Sequence, residues 1–312
     1  MIHLERNGYG SRFNDIYHDS HTLIKKVKNE YGRSKLKNEI QFYQYIKESN
    51  CLFPVPIIYS FSTNELSMKY YPEYISLYKV YNDISDNKKS ELKKQIHNNL
   101  NILHSSSIKP VSKHTYTNDL IFETSTKLLE RIVDVIPIIN EYPIVKVNNI
   151  VLRSFDELLG LIKTKIDYYI SLKSEYSYVP IHGDCQFNNI LYNIETSDMI
   201  FIDPRGYFGS SSVFGIPEYD FAKIMFALTG YDVFDNMEIN SLNIEGNNLI
   251  LNDIYLEKDV LQMESFTRYL VLSIWLGNAH CFKDTPLKVA YSYYYAMYLG
   301  TLVYNDVIFG TK

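Results

Sequence analysis

The hydrophobic and polar positions divide the chain into a strand-rich beginning and a longer helical remainder. Asn14 to Tyr17 and Thr22 to Val27, around a His18-Asp19-Ser20 turn, predict a β-hairpin. Arg33 to Glu48 places Leu36, Ile40, Phe42, Tyr43 and Ile46 roughly at helical spacing. Pro54-Val55-Pro56 breaks the chain. Ile57 to Phe61 and Leu66 to Tyr71 then read as two further strands around Ser62-Thr63-Asn64, closed by Pro72. From about residue 86 the periodicity turns helical, over 87–105, 117–135, 154–173, 217–229, 259–282 and 286–304. One short strand pair, 190–194 with 199–202, interrupts it. The expected class is α+β, with a small β-rich lobe over 1–72 and a larger, mainly helical lobe over 73–312.

Composition narrows the options. In 312 residues, 46% are apolar and 21% charged, which excludes disordered and fibrous chains. A net charge of −5 argues against a generally basic nucleic-acid binder. Cys51, Cys185 and Cys281 are scattered with no C-x-x-C pair. That disfavours a disulfide framework or zinc ribbon and suits a reducing compartment. Met1 to Arg6 carries no apolar signal core, and the best apolar run, Tyr269 to Gly277, is about half a membrane span. A cytoplasmic protein without a membrane span is expected, its oligomeric state left open.

The chemistry concentrates between Val179 and Gly209. With a three-residue turn at 195–197, residue 194 faces 198 and residue 190 faces 202. Continuing that register sets Asn189 opposite Asp203. An amide oxygen and a carboxylate converging in this way suit Mg²⁺, a hard cation that keeps waters and shares substrate phosphates. Asp184, in the loop entering the hairpin, adds a carboxylate beside this pair. Phosphoryl transfer needs such an arrangement: a metal neutralises phosphate charge while a separate carboxylate orients the attacking hydroxyl and accepts its proton. Each residue taken singly is equally a turn residue capping a surface hairpin.

His182-Gly183-Asp184-x-x-x-x-Asn189-Ile190-Leu191, followed by Ile202-Asp203-Pro204, resembles the aminoglycoside phosphotransferase and choline kinase-like family, small-molecule kinases with a two-lobed protein-kinase-like fold. The resemblance implies Asp184 as catalytic base and Asn189 and Asp203 as Mg²⁺ ligands. Pro204-Arg205 stands where protein kinases carry Phe-Gly, as is usual in the family. Cys185 and Gln186 stand where members often carry Leu and His. His182 reads as an orienter of the loop, and Asp220 resembles the family's structural Asp at a helix start, a role close to helix capping.

Residues 21–47 hold seven cations against Glu30 and Glu39. Such a run is commonly a solvated face, but Leu23-Ile24-Lys25 followed by a helix bearing Glu39 is similar to the kinase pair in which a strand Lys grips phosphates and a helix Glu holds it. Strand alternation puts Lys25 and Lys26 on opposite faces, so only one can serve, and the resemblance implies Lys25 because the family's Lys usually follows an apolar residue. Gly8-Tyr9-Gly10-Ser11 is either a phosphate-covering loop, with Ser11 at the phosphates, or a plain hairpin turn. Leu66 to Tyr71 resembles the strand running into the hinge, with Met68 lining a nucleotide pocket and the backbone near Lys69 and Tyr70 meeting the purine. The alternative is a plain core strand. His104 reads as structural.

On the acceptor side, residues 203–264 carry eleven carboxylates against Arg205, Lys223 and Lys258, which favours a neutral or cationic acceptor. Tyr291, Tyr293, Tyr294, Tyr295 and Tyr298 with Trp275 form either a cage for a quaternary ammonium or a helix core. The expected activity is Mg²⁺-dependent transfer of the γ-phosphate of ATP or GTP to a hydroxyl of a sugar, amino alcohol or aminoglycoside. One rival is a non-catalytic nucleotide-binding module of the same fold. Another is a nucleotidyltransferase, suggested by Gly10-Ser11 and Asp15 but lacking a second nearby carboxylate, since Tyr17 takes that place. No G-x-x-x-x-G-K-[ST], G-x-S-x-G or H-E-x-x-H signature occurs.

Overall fold

The computed structural model describes residues 1–4, 9–252, 261 and 266–309. Gly8 and parts of the 259–282 segment lie outside the described residues. The chain packs into two compact units, Met1–Val111 with Ser177–Ile224, and Ser112–Tyr176 with Met225–Lys312.

The first unit begins with a five-stranded antiparallel sheet in the order β1-β2-β3-β5-β4, where β1 is Ile2–Leu4, β2 Asn14–His18, β3 Thr22–Val27, β4 Ile58–Phe61 and β5 Glu65–Lys69. The β2–β3 turn closes because Asp19 Oδ1 accepts the N–H groups of His21 and Thr22 at 2.9 and 2.8 Å. Helix α1 covers Glu30–Glu48 and starts three residues before the periodicity indicates, because Asn29 caps it by accepting the Gly32 N–H at 2.8 Å. It buries Leu36, Phe42, Tyr43 and Ile46, each worth about 1.5–3 kcal/mol of apolar burial.

Phe42 joins Phe53 and Phe201 in an aromatic cluster that encloses the His182 ring, with centroid separations of 5.7, 6.3 and 6.0 Å from the three rings. Helix α1, the segment after it and the later hairpin thus bury one end of the 182–189 loop. The other end is held by β6 (Ile75–Ser76), whose Ser76 hydroxyl donates to the carbonyls of Phe187 and Asn188 at 3.1 and 3.2 Å. Helix α2 (Asp86–Ser105) and β7 (Lys109–Pro110) complete the first part of the unit. The chain re-enters it through β8 (Ser177–Pro180), then the hairpin β9 (Ile190–Tyr192) and β10 (Met199–Phe201). It leaves along α3 (Pro217–Leu228).

The hairpin differs from expectation by one residue. Ile190 pairs with Phe201, Leu191 with Ile200 and Tyr192 with Met199, so Asn189 faces Ile202, whose N–H donates to the Asn189 carbonyl at 2.9 Å. The cause is a turn longer by one residue. Asn193 Oδ1 accepts the N–H groups of Glu195 and Thr196, and Ser197 takes a left-handed φ of 62°. Asp203 then also takes a left-handed φ, 54°, which carries it out of the ladder.

The second unit is mainly helical. The 117–135 segment begins four residues early at Lys113 and passes through a π-helical turn, Phe122–Thr126, before Lys127–Val133. Phe155–Ser171 starts at a capping box of Ser154 and Glu157. Phe266–Asn278 and Pro286–Phe309 pack as neighbours. A small sheet, not expected from the pattern, joins 244–245, 248–249, 146–147 and 150–151. Trp275 is fully buried among Phe226, Tyr231, Phe234 and Tyr295 and donates to Thr229 Oγ1 at 2.8 Å. Tyr291, Tyr294, Tyr295 and Tyr298 are buried too, so these four belong to the helix core, while Tyr293 is half-buried. Among the described residues no helix is long and apolar enough to cross a membrane.

Candidate active site

Strand β3 is covered on both faces, so Ile24 and Lys25 are both buried although they are consecutive. Lys26 points outward and pairs with Glu65 at 3.3 Å. Lys25 is 6% exposed, and its ammonium lies 2.7 Å from Glu39 Oε2 on α1 and 2.7 Å from Asp203 Oδ1 beyond β10. Burial disfavours the ammonium, yet Asp203 and Glu39 overcome it, and the Lys25 pKa lies above its ordinary value. Burial pushes the Glu39 carboxyl up, against the pull of Lys25, and Asp203 adds to the rise.

The loop that follows β8 is pinned from beneath. Asp220 is fully buried on α3, with Oδ1 accepting the Gly183 N–H at 2.6 Å and Oδ2 accepting the His182 N–H at 3.0 Å. His104 Nε2 lies 2.9 Å from the same Oδ2. Asp220 therefore clamps the loop rather than capping its own helix. Gly183 takes a φ of 75°, and a side chain there would meet Arg205 Cβ at 3.0 Å. Burial lowers the His182 pKa and keeps the ring neutral, with Nδ1 accepting the Asp184 N–H at 3.3 Å. Burial also raises the Cys185 thiol well above its ordinary pKa.

Asp184 is part-exposed, and both of its carboxylate oxygens have partners. Lys223 Nζ is 2.9 Å from Oδ1, and Asn189 Nδ2 donates to Oδ2 at 3.2 Å and to the Asp184 carbonyl at 2.8 Å. Burial pushes the Asp184 carboxyl up, but Lys223 outweighs it and holds the group below the usual carboxylate range. Lys35 acts in the same direction. With Nδ2 committed to Asp184, the acceptor of the Asn189 amide is Oδ1. That amide oxygen and the Asp203 carboxylate are both hard oxygen donors, the kind of ligand Mg²⁺ takes. Lys25, Glu39, Asp184, Asn189, Asp203 and Lys223 all belong to the first unit.

The remaining expected nucleotide residues fare differently. Met68 is buried in β5, paired with Leu23 and Ile58. The Lys69 and Tyr70 N–H groups donate to the carbonyls of Ile57 and His21, each at 2.8 Å, so neither is open to a purine edge. The Tyr70 ring lies against His18, with centroids 4.4 Å apart. Ser11 sits in a short 3₁₀ turn, Tyr9–Arg12, and its carbonyl accepts from Lys28 at 3.1 Å. In the sequence Lys223 stands out only as a cation in an acidic stretch. The readable signal is its place three residues after Asp220, on the same helix face.

No protein-family model matches the sequence, and no curated protein matches it. Solved structures do. The GDP complex of wild-type aminoglycoside 2'-phosphotransferase-IIIa is 14% identical, with 98% of this chain and 92% of that chain covered at a TM-score of 0.55. Choline kinase LicA from Streptococcus pneumoniae is 10% identical, over 97% of this chain and 94% of that one, at 0.53. A choline/ethanolamine kinase family protein from Mesorhizobium loti is 10% identical, over 92% and 85%, at 0.50. At these identities the likeness shows the fold: α+β, two-lobed and protein-kinase-like. The neighbours come from the groups that the His182-Gly183-Asp184 motif resembles.

Proposed function

We propose that this chain is a small-molecule kinase that moves the γ-phosphate of ATP or GTP to a hydroxyl of a small acceptor. The observation that carries the reading is the buried Lys25 held between Glu39 and Asp203, in the same unit as Asp184 and Asn189. A strand ammonium braced by a helix carboxylate suits the gripping of nucleotide phosphates. Asn189 Oδ1 and Asp203 would hold Mg²⁺, which supplies charge neutralisation at those phosphates. Asp184, ionised at neutral pH, orients the acceptor hydroxyl and takes its proton. In this reading residues 1–72 hold the nucleotide and 73–312 carry the catalytic and acceptor-binding groups, with Met68 and Ser11 beside the nucleotide. Any base contact near Tyr70 uses groups other than the Lys69 and Tyr70 N–H. Neighbours named for aminoglycosides and choline support sugars, amino alcohols and aminoglycosides as acceptors to test.

The experiment is a nucleoside-diphosphate release screen with ATP and GTP against those acceptors. Asp184→Asn should lower kcat by about 10²–10⁴ while nucleotide still binds. Asp203→Ala should abolish Mg²⁺-dependent nucleotide binding. Near-wild-type turnover by Asp184→Asn rejects the base. Nucleotide binding without turnover across the panel favours a non-catalytic binding module instead.

A further inference from the structure

One helix holds the reactive loop twice. Asp220 takes the N–H groups of His182 and Gly183, and Lys223, three residues on and on the same face of α3, reaches the Asp184 carboxylate at 2.9 Å. The other partner of that carboxylate, Asn189, belongs to the same loop and donates to the Asp184 main chain as well. Asn189 thus holds the carboxylate from the end of its own loop, where Ile202 and Ser76 tie the backbone, and Lys223 holds it independently, from α3. We infer that Lys223 is a positioning residue for Asp184, setting the direction from which that carboxylate meets the acceptor hydroxyl. The inference rests on the kinase reading above.

The surroundings suit a permanent ammonium at this place. The Lys223 side chain is 13% exposed and that of Asp184 32%. Burial pulls the Lys223 pKa down, but Asp184 outweighs it, with Tyr219 assisting and Arg205 opposing, and holds that pKa above its ordinary value. Arg205 itself donates to the Tyr219 hydroxyl and stacks over Tyr207 at 4.0 Å and Tyr219 at 5.1 Å. Its side chain is thereby turned along the aromatic rings, and Lys223 is the cation in hydrogen-bond range of Asp184 Oδ1. An ammonium so placed can aim Asp184 but cannot take a proton from the acceptor.

The test compares Lys223→Met and Lys223→Arg with the unsubstituted chain, using an acceptor identified by the release screen. Lys223→Met should lower kcat on the order of 10²-fold, the scale of a misplaced catalytic group, with the acceptor KM and the nucleotide Kd changed by less than about threefold. Lys223→Arg should recover at least about tenfold of that loss, because a guanidinium still reaches a carboxylate. In an Asp184→Asn background, Lys223→Met should cost less than about threefold more, since the residue acts through the group already removed. Thermal unfolding confirms that each variant is folded, and Lys223→Gln replaces Lys223→Met if the latter is not. Turnover untouched by Lys223→Met, the full loss repeated in the Asp184→Asn background, or failure of arginine to rescue would each overturn the role of Lys223 while leaving the kinase reading intact. Absence of turnover in the unsubstituted chain would sink both.

Discussion

Replacing Gly206 by alanine tests how the Asp203 loop and α1 are held together. Gly206 lies three residues after Asp203 with a φ of 67°, and a Cβ there would fall 2.3 Å from the Asn38 carbonyl oxygen. Two costs follow. A left-handed conformation costs a non-glycine residue about 1–2 kcal/mol. Real Cβ contacts do not come under 3.0 Å, so loop and helix must part by about 0.7 Å, and overpacking of this kind costs about 1–3 kcal/mol. Together these predict a loss of about 2–5 kcal/mol, read as a lower denaturant midpoint at unchanged slope. Asn38 is bonded to Glu39 and Gly206 follows Asp203 by three residues, so part of the displacement reaches the two carboxylates that hold Lys25. Nucleotide affinity should therefore fall with stability. Gly10→Ala is the control: among the described residues nothing lies within 4 Å of the added carbon and φ is not left-handed, so stability should be unchanged or rise slightly. A Gly206→Ala protein within about 0.5 kcal/mol of wild type would refute the reasoning.

Other outcomes follow from the same contacts. Asp220→Ala leaves the His182 and Gly183 N–H groups and the His104 ring without their partner, and should cost at least about 3 kcal/mol by denaturant titration; a loss below about 1 kcal/mol contradicts the clamp. Cys185 is fully buried with a raised pKa, so native protein should be alkylated at Cys51 and Cys281 and at Cys185 only after unfolding, which peptide mass mapping reads directly. Asp184 has a lowered native pKa, so its stabilising contribution is present above about pH 4 and is lost as pH falls through the native value. The stability gap between wild type and Lys223→Met should therefore be wider at about pH 7 than at about pH 3, and an equal gap at both would contradict the ion pair.

What could be read in advance follows from how local each signal is. Strand alternation separated Lys25 from Lys26 because a two-residue period needs no tertiary information, and the structure leaves Lys26 outside with Glu65. The helical stretches carried their own periodicity, but the starts at Glu30 and Lys113, set by the caps Asn29 and Ser112, lie outside the apolar pattern. Asp203 was placed beside Asn189 by a register argument that failed at one turn, where the Asn193 side chain and a left-handed Ser197 add a residue. The Lys69 and Tyr70 N–H groups are taken by the carbonyls of Ile57 and His21, pairings between strands that the pattern along one strand does not reveal. Lys223 and Asp220 act on a loop nearly forty residues earlier in the chain, and while their spacing puts them on one helix face, nothing local names the loop they reach. The two-unit organisation rests on the same kind of long-range contact, because Ser177–Ile224 joins Met1–Val111 across the intervening helices.

The most direct test of the central claim is the identity of the phosphorus products. Phosphorus NMR of the unsubstituted chain incubated with Mg²⁺, nucleoside triphosphate and an acceptor from the screen should show a nucleoside diphosphate and a phosphomonoester on the acceptor hydroxyl. Pyrophosphate with a nucleotidyl ester, or triphosphate left intact with every acceptor, would contradict it.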